Sequence, residues 1–242
     1  MGNKTQDIYV VIEGYDKPTQ QGAESTQYFQ GQVNQRFNSA KYLETHLPLM
    51  YMRFCGGITP NPTGEIIARI SRVQDAKTPI GDVVLSGGSA GGRNILAVGQ
   101  ALTQKQIPIS FIGVWDGAFD RPDRQGLLKN PGVTAKTKTN WYQKWGESLD
   151  EEGVQEIHDE IAGFDNINCD TQPEMLALRA AYFGASAAPG IFGSLVTKTG
   201  AVRQKFWESA HTITYKIGRE ASEWTAWKTL RDNGATVGLR SS

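Results

Sequence analysis

The chain has 242 residues, with 25 basic and 25 acidic side chains, so its formal net charge is zero. That balance excludes a protein-wide field able to gather nucleic acid or an anionic membrane. Hydrophobic residues at 39% and aromatic residues at 10% exclude wholesale disorder.

No Pro/Ser-rich linker divides the chain, and a single domain over 1–242 is expected. Cys55 and Cys169 are too few for a disulfide scaffold, and His46, His158 and His211 are scattered. Neither a metal nor a cofactor is therefore expected. No signal-peptide pattern opens the sequence, and no apolar run approaches the roughly 20 residues that span a bilayer. Gln6 stands where a myristoylation signal has Ser or Thr, which argues against lipidation. The expectation is a soluble product, cytoplasmic at synthesis, with secretion open only by a route independent of a signal peptide.

Taken in order, Ile8-Tyr9-Val10-Val11-Ile12 is a continuous β-branched and aromatic run that predicts a strand covered on both faces. It ends at Glu13-Gly14-Tyr15-Asp16. From Ala23 to about Glu44, Tyr28, Val33, Phe37, Ala40 and Leu43 recur at helical steps. Leu49 to Phe54 predicts the next strand, and Thr63-Gly64 opens a helix with Ile66, Ile67, Ile70 and Val73 on one stripe. Val83-Val84-Leu85 is a third strand, followed by a glycine turn and a helix through Ile95, Leu96, Val98 and Leu102. Pro108 to Trp115 reads as a fourth strand. Strands alternating with helices in this way predict an α/β fold with a mainly parallel sheet flanked by helices.

Between Ala118 and about Cys169 the alternation breaks down. Pro122, Gly126, Pro131 and Gly132 precede Lys136, Lys138, Trp141, Tyr142, Lys144 and Trp145, which suits a lid or cap insertion at 118–169, or an irregular wrap completing the core. Asp150 to Ile161 is acidic and weakly helical. From Gln172 to Phe183, Met175, Leu176, Leu178 and Tyr182 predict another helix, closed by Gly184. Ile191 to Val196 reads as a strand or extended loop, Val202 to Trp207 as a strand, and Ala221, Trp224, Trp227 and Leu230 as a closing helix ended by Asn233-Gly234.

The turn between the third strand and its helix, Gly87-Gly88-Ser89-Ala90-Gly91, has the spacing G-x-S-x-G. In a nucleophile elbow the serine takes a strained backbone conformation, and small neighbours let strand and helix approach closely. Asp116 lies immediately past the fourth strand, on the same expected edge as Ser89. His211 follows the expected strand at Val202 to Trp207, whereas His46 closes an early helix and His158 lies in the acidic segment. Ser89, Asp116 and His211 thus run in the order nucleophile, acid, histidine, each expected just beyond a strand. The amide of Ala90, and an amide at Gly14 or Tyr15 after the first strand, are the expected oxyanion donors.

These patches resemble the α/β hydrolases that include the phospholipase effectors of type VI secretion. The resemblance is carried by the acidic-glycine exit of the first strand, by Phe54-Cys55-Gly56-Gly57-Ile58, and by the elbow. It continues in Phe111-Ile112-Gly113-Val114-Trp115-Asp116, in Phe206-Trp207 ahead of His211, and in Trp224-Thr225-Ala226-Trp227. The chain departs from that family at Ala90, where an arginine is usual, and at Thr212-Ile213-Thr214-Tyr215, where a glycine-rich tail is usual.

The resemblance implies an α/β-hydrolase-like fold and an ester hydrolase acting through Ser89, His211 and Asp116 on a small-molecule or lipid ester, with transient membrane contact and no nucleic-acid partner. A non-catalytic binding or assembly module on the same fold is the alternative. A phosphate-binding glycine loop at a helix N-terminus is a third reading, but the loop carries neither a Gly-Lys-Ser/Thr ending nor a complete G-x-G-x-x-G.

Overall fold

In the computed structural model, residues 4–14, 40–55, 62–116, 138–143, 165–169, 172–183 and 200–231 are described. Six strands form one sheet in the order β2-β1-β3-β4-β5-β6, and every neighbouring pair is parallel. The strands are β1 (Gln6–Glu13), β2 (Met50–Cys55), β3 (Ile80–Gly88), β4 (Phe111–Trp115), β5 (Lys138–Gln143) and β6 (Asp165–Asn168). The helices are α1 (Ala40–Thr45), α2 (Thr63–Asp75), α3 (Ala90–Gln104), α4 (Pro173–Phe183) and α5 (Gly200–Arg231).

The continuous apolar run of β1 does what a strand covered on both faces requires. Ile8, Val10 and Ile12 join Met52, Ile66, Ile70, Val83, Leu85, Ile95 and Ile112 on the face covered by α2 and α3. Tyr9 and Val11, one residue out of phase, join Tyr51, Val84, Phe111, Trp115, Ala226 and Leu230 on the face covered by α5. Period-two alternation thus splits one strand between two cores. The chain passes from β1 to β2 on one side and then returns to place β3 on the other. The crevice where the order reverses, at the carboxyl ends of β1 and β3, is where ligands gather in open sheets of this kind.

Two expectations are corrected. Val202 to Trp207 is not a strand: it belongs to α5, a single helix of 32 residues. Phe206, Ala210, Thr214, Gly218, Ser222, Ala226 and Leu230 are all buried, one at every fourth position. A row at i, i+4 spacing is a helix ridge, and a strand starting at Val202 would break that row at its beginning. The small members let α5 lie close on the sheet: a Cβ on Gly113 of β4 would stand 2.7 Å from Ser222 Oγ.

The second correction concerns 118–169, where β5 and β6 extend the sheet in its parallel sense through residues expected to be irregular. Apart from Cys169, the rest of that segment lies outside the described residues, as do 15–39, Ile191 to Val196 and Asn233-Gly234. The α4 helix forms where expected, with Met175 buried beside Phe206 and Ala210, but Leu176 points outward.

Candidate active site

β3 delivers Ser89 into a turn pressed between two other strands. The Ser89 backbone has φ 49° and ψ −127°, a region that costs a non-glycine residue about 1–3 kcal/mol and persists only where the surroundings impose it. They do so here. Ser89 N–H donates to the Trp115 carbonyl at 3.0 Å, and Gly92 N–H donates to the Ser89 carbonyl at 3.0 Å. Side chains at the flanking glycines would prevent this approach. A Cβ on Gly88 would fall 1.7 Å from Trp115 Nε1, and one on Gly91 would fall 2.1 Å from the Ile12 carbonyl oxygen. The elbow is therefore wedged between β1 and β4 because glycine stands on both sides of the serine. Two of its amides are already bonded within the protein, which leaves the loop poorly furnished for a phosphate.

Asp116 follows β4 directly and is buried, with its own backbone at φ 45°. Its Oδ2 is hydrogen-bonded to Nδ1 of His211, a residue 95 positions later. His211 is not beyond a strand end, as expected from the sequence, but in the middle of α5. The helix does the positioning instead, because it crosses the sheet face beside β3, β4 and β5. With a carboxylate as acceptor, the proton resides on Nδ1 of the imidazole. The His211 side chain is about one-third open to solvent (36%), whereas that of Asp116 is closed (3%). The pair thus has an anchored acid and a histidine that solutes can reach.

The same helix carries a polar column: His211, Tyr215, Arg219 and Glu223, again at every fourth position. Tyr215 accepts a hydrogen bond from Gly14 N–H at 3.1 Å. Its ring lies edge-on to Trp115, with centroids 5.9 Å apart, and to His211 at 6.0 Å. Burial pushes the Tyr215 phenol above its ordinary range, an effect partly offset by the Gly14 amide.

Arg219 reaches Glu13 Oε1 at 3.3 Å and Glu223 Oε1 at 3.1 Å, and Arg53 of β2 pairs with Glu13 from the other side. Glu13 is buried, so two guanidiniums compensate one carboxylate that would otherwise be costly there. The effect is to clamp the end of β1 and hold Gly14 against the elbow. A Cβ on Gly14 would lie 2.8 Å from Ser89 Cβ and 3.4 Å from Ser89 Oγ.

Of the residues expected at a site, Asp116 and His211 are bonded, and Ser89 is bound through its amide to the residue before Asp116 and is packed against Gly14. Ala90 opens α3, so its N–H has no acceptor within the helix. Tyr15 lies outside the described residues. Tyr215, Arg219 and the Glu13 clamp were missed from the sequence, although the four-residue steps from His211 to Tyr215 and Arg219 were available as a signal. Among the described residues no group of three or more His, Cys, Asp or Glu could hold a metal ion, and no helix is long and apolar enough to cross a membrane.

Comparison with known proteins gives no match: no family model, no curated protein and no solved structure matches the chain. The α/β class therefore rests on the sheet itself, and the chemistry on the geometry at its carboxyl edge.

Proposed function

We propose that the protein is a serine hydrolase that cleaves a carboxylic ester, with a small-molecule or lipid acyl ester as substrate, on an α/β-hydrolase-like fold. The observation that carries this reading is the bond between His211 and Asp116, made beside a serine whose backbone is strained as a nucleophile elbow requires. A buried carboxylate bonded to Nδ1 fixes the imidazole tautomer and leaves Nε2 to take and return a proton.

In the proposed reaction Ser89 Oγ attacks the acyl carbonyl as His211 Nε2 removes its proton. The carbonyl π pair moves onto oxygen, where the Ala90 amide and a second donor beside Gly14 face it. Collapse of this intermediate breaks the ester C–O bond, and His211 gives the proton to the departing alcohol. Water, activated by the same histidine, then releases the acid and restores Ser89. Asp116 stays ionised and stabilises the imidazolium.

The test is covalent. A fluorophosphonate probe should label the folded protein at Ser89, shown by peptide mapping, and Ser89→Ala should lose both labelling and hydrolysis of p-nitrophenyl esters. A folded wild-type protein that takes no label would sink the proposal and transfer the fold to a binding or assembly role. Esters of increasing chain length then separate an esterase, with a short-chain optimum, from a lipase.

A further inference from the structure

We propose that the Tyr215 hydroxyl is itself an oxyanion donor of the Ser89 centre, standing between the Gly14 amide and the substrate oxygen. The inference rests on the serine-hydrolase reading above and assigns one of its donors.

Gly14 N–H is directed at the Tyr215 oxygen, so that amide does not meet a substrate oxygen directly. A phenol that accepts one hydrogen bond retains its own proton to donate. Polarisation by the amide strengthens that second bond, because hydrogen bonds in series reinforce one another in a medium of low dielectric. Placement supports the role. The space above Gly14 is bordered by Ser89, whose Oγ would be 3.4 Å from a Cβ built there, and by Tyr215 Cε2, at 3.3 Å from the same point.

The ring is fixed on two edges by Trp115 and His211 and from below by the helix that carries it. A donor held before the charge develops needs no reorganisation when it does, which is the source of most oxyanion stabilisation. Burial also keeps the phenol protonated through the neutral range. During attack the bond between Ser89 Oγ and the carbonyl carbon forms and the π pair settles on oxygen. Tyr215 holds that oxygen by a hydrogen bond and keeps its proton. The pair returns as the alcohol leaves with the proton taken by His211.

Tyr215→Phe keeps the ring and removes the hydroxyl. With p-nitrophenyl butyrate, kcat should fall by about 10²- to 10³-fold, the effect of losing one oxyanion donor, while KM stays near wild type. Affinity for a trifluoromethyl ketone, which adds Ser89 and places an oxyanion in the hole, should fall by the same factor. A variant as fast as wild type would overturn the assignment. A faster one would also overturn it, showing that the hydroxyl withholds the Gly14 amide.

Fluorinated tyrosine at 215 keeps the shape, lowers the phenol pKa and serves if Tyr215→Phe does not fold. The alkaline limb of kcat should move to lower pH with it, which a packing role would not produce; an unmoved limb rejects the proposal. Wild-type labelling at Ser89 separates the two failures. Labelled and active protein with an indifferent Tyr215→Phe defeats only this assignment, whereas unlabelled, inactive wild type defeats the hydrolase reading and the assignment with it.

Discussion

The two edges of the sheet carry nearly the same side chains in opposite states. At the amino edge Asp7 is completely buried. Its Oδ2 accepts from the Tyr42 hydroxyl at 2.9 Å, its Oδ1 accepts from Asp82 N–H at 2.9 Å, and His46 Nε2 stands 3.9 Å away. At the carboxyl edge Asp116 is buried beside His211, with Tyr215 one turn on. Each edge therefore has an aspartate, a histidine and a tyrosine. The difference lies in backbone and access. His46 is stacked flat on Tyr42 at 4.4 Å and largely covered, and no residue of its cluster is strained. His211 is open to solvent, and both Ser89 and Asp116 occupy positive φ. A satisfied, closed cluster is what a folding determinant looks like; a strained, accessible one is what a reaction requires.

Matched substitutions should break this symmetry most sharply at the histidines. His211→Asn is expected to lower ester hydrolysis by at least about 10³-fold, since the proposed triad would act as a unit. His46→Asn should leave kcat within about threefold of wild type, because its ring touches only the amino edge. Steady-state kinetics on the two purified variants decide the matter, and equal losses would end the claim that the edges differ in role. Asp116→Asn should follow His211→Asn, with a loss of about 10⁴-fold, because an amide donates toward Nδ1 and favours the wrong tautomer.

Asp7→Asn should do the reverse, sparing kcat and costing about 1–3 kcal/mol of stability by turning an amide donor toward Tyr42 or Asp82 N–H. Burial holds the Asp7 carboxyl above its ordinary 3.8, against the opposing pull of Tyr42, the Asp82 amide and His46. The native state thus binds that proton more tightly than the unfolded chain. The stability this contributes is complete below the unfolded pKa and is lost as pH rises through the native one. Urea midpoints of wild type and Asp7→Asn should therefore converge as pH is raised from about 4 toward 7. A gap that widens instead would mean the carboxylate is favoured by the fold.

Much of the carboxyl edge was legible because chain-local chemistry fixes it. The G-x-S-x-G turn needs only its own glycines and the strand and helix around it, and Asp116 needs only the end of β4. His211 was found by its order in the chain, with the wrong element beneath it. The Phe206 to Leu230 row was concealed by composition: Thr214, Gly218 and Ser222 are not hydrophobic, so a helix buried along small residues gave no apolar period. β5 was concealed for a related reason, since Lys138 and Asn140 interrupt the apolar pattern that marks a strand. The Glu13 clamp and the amino-edge network join residues up to 206 positions apart, as between Glu13 and Arg219, and spacing within one segment does not carry such pairs.

Four non-glycine residues among those described adopt positive φ, and they divide between the edges. Lys77, at φ 55°, and Gln106, at φ 59°, end α2 and α3 ahead of β3 and β4. Each closes a helix in the left-handed manner: Thr78 N–H reaches the Val73 carbonyl at 3.2 Å and Ile107 N–H the Leu102 carbonyl at 3.0 Å. Glycine suits that position better than either side chain, so Lys77→Gly and Gln106→Gly should each raise stability by up to about 1 kcal/mol with kcat unchanged. Greater unfolded-state freedom of the new glycine limits the gain. Ser89 is strained for a different reason, and Ser89→Gly should remove all hydrolysis while relieving the same kind of strain. Thermal melts of the three variants, read beside their rates, separate strain that ends a helix from strain at the proposed nucleophile. A stabilised Ser89→Gly with residual activity at wild-type level would dissolve that distinction.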